Sequence, residues 1–178
     1  MDIRRRRHFP SPIQNTGLRC GAIWRKACIA TVILVSRRTS LSMAIEVTGV
    51  VPLVQVFDMP RSIGFYRDVL GFEVAERSKA KSDNPDDVDW CSLQLGPANL
   101  MLNTAYDPDN VPEAPNAARW EGHQDTGLFF GCPDVDAAYR HLVEKGVDVE
   151  PPKVAWYGMK QLYLKDPDGY GICLQWRA

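Results

Sequence analysis

The chain has 178 residues, 45% of them hydrophobic, and a formal net charge of −1. That is enough for one or two small globular units whose core needs no covalent staples. The near-zero charge hides an asymmetry: residues 1–42 hold nine Lys and Arg against one acid, Asp2, so the totals of 21 basic and 22 acidic residues leave 12 and 21 from Met43 onward, about +8 before the break and −9 after it. An acidic body repels phosphate backbones and excludes nucleic acid as a partner. Five cysteines, an odd number with no CxxC pair, read as reduced thiols in a cytoplasmic protein.

The basic leader contains one apolar run, Ala27 to Val35. Nine residues are too few for a membrane-spanning helix, which needs about 20, so no membrane partner is expected. Ser36 to Ser42 supplies no small-x-small cleavage site for a signal peptide. An Arg-rich, acid-poor composition suits an organellar presequence. It equally suits a basic tail, or upstream sequence read in frame before a true start at Met43. On each reading residues 1–42 stand outside the fold, and residues 43–178 form a single domain. A chain starting at Met43 is therefore expected to melt like the full one in a thermal scan; a large drop in melting temperature would show that the leader packs on the body.

Val47 to Val56 is rich in β-branched residues and reads as a strand. Asp58 can cap a helix with Pro60 in its first turn. Ile63, Tyr66 and Leu70 recur at helical spacing, and Gly71 ends the helix. Phe72 to Glu76 begins a second strand, the polar stretch Lys79 to Asp89 is a loop, and Trp90–Leu95 and Leu100–Thr104 are strands joined at Gly96-Pro97. Residues 105–122 carry prolines, glycines, Asn and Asp, and read as a flap or linker. The order then repeats. Gly127–Gly131 is a strand, Asp134 caps a helix ended by Gly146, Val147–Val149 is a short strand, and Lys160–Lys165 and Tyr170–Trp176 form a hairpin around Asp166-Pro-Asp-Gly169. The pattern is β-α-β-β-β twice, over about 47–104 and 123–177. The fold class is α+β, with two such modules forming a cupped, incomplete barrel whose cup is the natural place for a ligand.

Two segments carry a family likeness. One is Asp58-x-x-x-Ser62-x-x-Phe65-Tyr66-x-x-x-Leu70-Gly71; the other is the terminal Asp166-Pro-Asp-Gly-Tyr-Gly-Ile-Cys173. Together they resemble the vicinal oxygen chelate superfamily, which includes glyoxalase I, ring-cleaving dioxygenases, and fosfomycin and bleomycin resistance proteins. The resemblance covers about residues 47–176. It implies the paired modules, often as a homodimer. In metal-using members four inward-facing positions carry His, Gln or Glu ligands; here they fall on Val51, Met101, Gly127 and Cys173. One thiol and one thioether do not make a Lewis-acid centre, so neither a metal nor another cofactor is expected. His123, near the start of the second module, is the single histidine close to a cup strand, and it reads as a polar residue at the end of the flap. Cys173, with no histidine beside it, reads as an inert thiol. Asp166 and Asp168 read as turn residues. No residue is expected to be catalytic.

Alternation along the strands then gives the cup surface. Parity with the four positions gives Gln55, Met101, Asn103, Phe129, Cys173 and Gln175. The hairpin partner adds Gln161 and Tyr163, Trp90 or Ser92 borders the same space, and Trp156 and Tyr157 stand on the loop before it. Aromatic rings with a few amides suit a neutral or cationic aromatic ligand. The expected function is small-molecule binding of the bleomycin-resistance type, without metal and without catalysis. The rival reading is a glyoxalase-like lyase or isomerase, or a dioxygenase-related enzyme with an unconventional metal site. A third is a structural or regulatory role with an empty cup.

Overall fold

The computed structural model describes residues 49–178. The leader, with the start of the expected first strand at residues 47 and 48, lies outside the described residues. Among the described residues no helix is long and apolar enough to cross a membrane.

Strand β1 is Leu53–Val56. Helix α1, Met59–Gly64, follows; the Asp58 carboxylate accepts from Arg61 N, and Pro60 sits in the first turn. The helix widens into a π-helical turn, Phe65–Val69, before Gly71, whose φ of 84° suits a residue without Cβ. Strands β2 (Glu73–Arg77), β3 (Trp90–Leu95) and β4 (Ala98–Thr104) complete the first module. Helix α2, Ala117–His123, capped by Asn116, lies within the segment expected to be an irregular flap. The second module holds β5 (Gly127–Gly131), α3 (Val135–Glu144), β6 (Lys153–Val154), β7 (Met159–Lys165) and β8 (Gly171–Arg177). The expected strand at Val147–Val149 is displaced: the paired residues are Lys153 and Val154, while Val147 and Val149 pack their side chains on the core.

Each module makes one four-stranded sheet, ordered β1-β4-β3-β2 and β5-β8-β7-β6. In both, the strand before the helix joins the last strand in parallel, and the rest is antiparallel. The two sheets are α+β repeats that do not close into a barrel. One face of each is covered. Val54, Val56, Ile63, Tyr66, Leu93 and Leu102 from the first module join Leu128, Leu142, Leu162 and Ile172 from the second in one continuous core. The opposite face stays open, because alternate residues such as Leu53, Phe129 and Tyr163 point away from that core and remain exposed.

The Asp166–Tyr170 turn joins the modules. The Tyr66 hydroxyl donates to Asp166 at 2.9 Å; Phe57 N and the Ser62 hydroxyl donate to Asp168 at 2.7 and 2.9 Å. The Tyr170 hydroxyl accepts from Gln55 N and donates to Gln55 O. On the far side His141 Nε2 donates to Val69 O at 2.8 Å. The motif residues of both segments therefore meet each other. Asp166 and Asp168 are spent on this junction, as turn residues tied to the first module.

Candidate functional site

The open face of the second sheet carries a groove of about 830 Å³. Its floor is the β5–β8–β7 surface, and its side wall is the segment Val147–Ala155, which ends in β6. Register places the floor residues side by side: Gly127 opposite Gly171, Phe129 opposite Cys173, and Cys173 opposite Tyr163. The Phe129 and Tyr163 rings meet edge to face at 6.4 Å, across the buried Cys173 between them. Both rings keep more than half of their surface in solvent, at 57% and 56%. They form an apolar ledge that a flat ligand could cover.

Farther along the same face runs a hydrogen-bonded row. The Tyr157 hydroxyl donates to Gln161 Oε1 at 3.0 Å, and Gln161 Nε2 donates to Gln175 Oε1 at 2.8 Å. The buried Gln161 is thereby fixed and opens to the groove. Trp156 stands clear of it, 96% exposed, with its ring edge-on to Tyr157. The second sheet thus gathers Phe129, Tyr157, Gln161, Tyr163, Cys173 and Gln175.

The first-module candidates form their own row on the first sheet. Gln55 lies opposite Asn103, which lies opposite Trp90, and Met101 lies between Leu53 and Ser92. None of these lines the groove. Gln55 instead accepts from Arg119 of α2 at 3.2 Å. Sequence reasoning did not name the wall Val147–Ala155, nor Lys165, which lines the groove at the end of β7. Lys165 shares parity with Gln161 and Tyr163, so the same alternation would have found it.

The donor chemistry does not fit a metal. Val51 and Met101 offer no hard donor, and Gly127 offers no side chain. A Cβ built on Gly127 would stand 3.0 Å from the Phe129 ring, so a side chain there would have to shift that ring by a few tenths of an ångström. Burial pushes the Cys173 thiol up from its ordinary value, which disfavours the thiolate that a metal or a nucleophilic step requires. His123 faces elsewhere: Nδ1 donates to Asp168 O at 2.7 Å and its ring stacks on Tyr170 at 4.0 Å. Among the described residues no three His, Cys, Asp or Glu side chains converge as a metal site would need.

Comparisons with known proteins bear on the fold. TnmS3, an antibiotic binding protein from Streptomyces sp. CB03234, has a similar structure at 27% identity, covering 76% of this chain and 99% of that one, with a TM-score of 0.55. A bleomycin-binding protein complexed with bleomycin is 20% identical over 74% of this chain and 100% of that one, with a TM-score of 0.54. A lactoylglutathione lyase from Agrobacterium tumefaciens is 18% identical over 73% and 94%, with a TM-score of 0.52. The last two, one a binder and one an enzyme, show the fold alone. No curated protein matches the chain significantly. The sequence model of the Glyoxalase/Bleomycin resistance protein/Dioxygenase superfamily matches residues 48–174, most of the chain, and the protein belongs to that superfamily.

Proposed function

We propose that this protein binds a small aromatic or cationic molecule on the open face of its second sheet, without metal and without catalysis. The observation that carries the reading is the groove itself. It pairs an exposed Phe129–Tyr163 ledge with the fixed amide of Gln161, and its acids and lysines stand on the wall and at the end of the groove rather than beside the ledge. Rings supply stacking area and the amide supplies direction, which is the division of labour in a binding pocket. The likeness to an antibiotic binding protein supports small-molecule binding.

Two further parts belong to this proposal. The first module exposes Val51 and Leu53 away from the ligand ledge, apolar surface that a second copy would cover, so the working unit is a homodimer with the Phe129–Tyr163 ledge left to the ligand. The described cysteines, Cys91, Cys132 and Cys173, are free thiols, which suits a cytoplasmic protein.

A thermal-shift screen of planar aromatic dyes and antibiotics tests the reading. A ligand that binds only the folded state raises the melting temperature by mass action. For a binder found in this way, Phe129→Ala and Tyr163→Ala are each expected to weaken the Kd about tenfold, the equivalent of roughly 1.4 kcal/mol of lost ring contact. His123→Ala should leave the Kd unchanged, and a chelator should leave the melting temperature unchanged. Stoichiometric metal in the purified protein, lost together with a catalytic activity on changing His123, would replace the binding reading with the enzymatic one.

A further inference from the structure

Strand β7 presents three unlike groups to the groove at successive same-face positions, Gln161, Tyr163 and Lys165. Two residues of strand separate each pair, about 7 Å. Gln161 offers an amide and Tyr163 a ring. Lys165 offers an ammonium, and its surroundings hold that ammonium without neutralising it. Lys165 Nζ donates to Gln124 Oε1 at 2.6 Å and lies 4.6 Å from the centre of the Trp120 ring. Both partners are uncharged, so they fix the head group at the groove end and leave its charge unmatched.

The other charges of the groove do not compete on equal terms. Lys153 and Glu150 form an ion pair with each other on the wall and cancel locally. Asp148, the remaining acid of the lining, is exposed and has no described hydrogen bond or ion pair, so its carboxylate keeps its water and its freedom. A placed cation forms a charge-assisted bond without ordering a long side chain, whereas an untethered surface carboxylate must first be ordered.

We propose that the groove reads an acidic group on its aromatic ligand. The ligand body covers the Phe129–Tyr163 ledge, and a carboxylate or comparable anion, about one two-residue step along β7, meets the Lys165 ammonium. This rests on the binding function proposed above and narrows its ligand from aromatic or cationic molecules to aromatic acids.

Isothermal titration of the full chain at low salt, with 2-naphthoate, 2-naphthamide and 2-naphthylmethylammonium as probes of one shape, tests it. The naphthoate is expected to bind about tenfold more tightly than the amide, the usual gain of a charge-assisted bond at a partly exposed site. Lys165→Met should abolish that ratio and Lys165→Arg should keep it. Lys160→Met, which removes a cation on the opposite face of β7 paired with Asp136, should also keep it. A naphthoate no tighter than the amide, a preference for the ammonium, or a ratio that survives Lys165→Met would overturn the inference while leaving small-molecule binding intact. Binding of none of the three would remove both. Circular-dichroism melts of the variants confirm that the ratios compare folded proteins.

Discussion

Gly169→Ala is expected to cost about 2–4 kcal/mol of stability, through a left-handed backbone and an overpacked contact at once. Gly169 has a φ of 89°, a conformation that penalises any Cβ. A Cβ there would also stand 2.8 Å from Trp120 O and 2.9 Å from the Trp120 ring. The backbone oxygen cannot rotate away, so α2 must move, and with it the His123–Asp168 and Arg119–Gln55 bonds. Gly146 provides the control. Its φ of 75° is similar, but no atom lies within 4 Å of a Cβ built on it. Gly146→Ala should cost only the backbone penalty, about 1 kcal/mol. Urea unfolding of both variants measures the difference. Equal losses would mean that α2 does not press on the turn.

The second large effect is a pH dependence centred on Asp166. Burial is the main cause that pushes its carboxyl up to about 6 from an ordinary 3.8, against the backbone hydrogen bond at Tyr170 and the Tyr66 hydroxyl, which favour ionisation. The neighbouring Tyr66 phenol is itself pushed up, by burial first and then by Asp166, and so stays protonated as the donor. A folded value above the unfolded one means the folded state holds the extra proton between pH 3.8 and 6. Stability from this group is then fully present below about pH 4 and is lost as pH rises through 6. A shift of this size corresponds to about 3 kcal/mol. Wild type minus Asp166→Asn, measured by urea unfolding at pH 4 and pH 7, should therefore favour wild type by about 2 kcal/mol more at the lower pH, because pH 4 stands just above the unfolded value. The comparison cancels the surface carboxylates, such as Asp68, whose arginine neighbour lowers its value and tilts stability the other way. A difference that is flat or grows with pH would show that the ionised carboxylate is the favoured form in the folded state.

Local signals carried most of the fold. Asp58 with Gly71, and Asp134 with Gly146, bracket helices where capping and left-handed glycine say they should. The Asp166–Gly169 turn joins β7 to β8 as its composition implies. Two elements were hidden for physical reasons. The valines of Val147–Val149 carry strand propensity, yet they pack on the core without pairing, and the short pairing falls on the polar Lys153 next to Val154. Helix α2 sits in a proline-rich stretch and buries no side chain fully, so no apolar stripe announces it. Alternation put Gln161, Tyr163, Cys173 and Gln175 on one face of β7 and β8, where the register pairs them. Gln55, Trp90, Met101 and Asn103 share a row on the first sheet, and how that row stands to the second sheet is a long-range fact to which no residue's own period responds.

The contact over Gly127 also couples two positions of the groove floor. A Cβ at 127 would stand 3.0 Å from the Phe129 ring, so the ring would have to give by a few tenths of an ångström. The ring is more than half exposed and has room to do so. Its edge-to-face meeting with Tyr163 would move with it. A missing side chain at one residue thus sets the tilt of the ring at another: positions 127 and 129 act as one unit of shape, and a change at the first is read at the second.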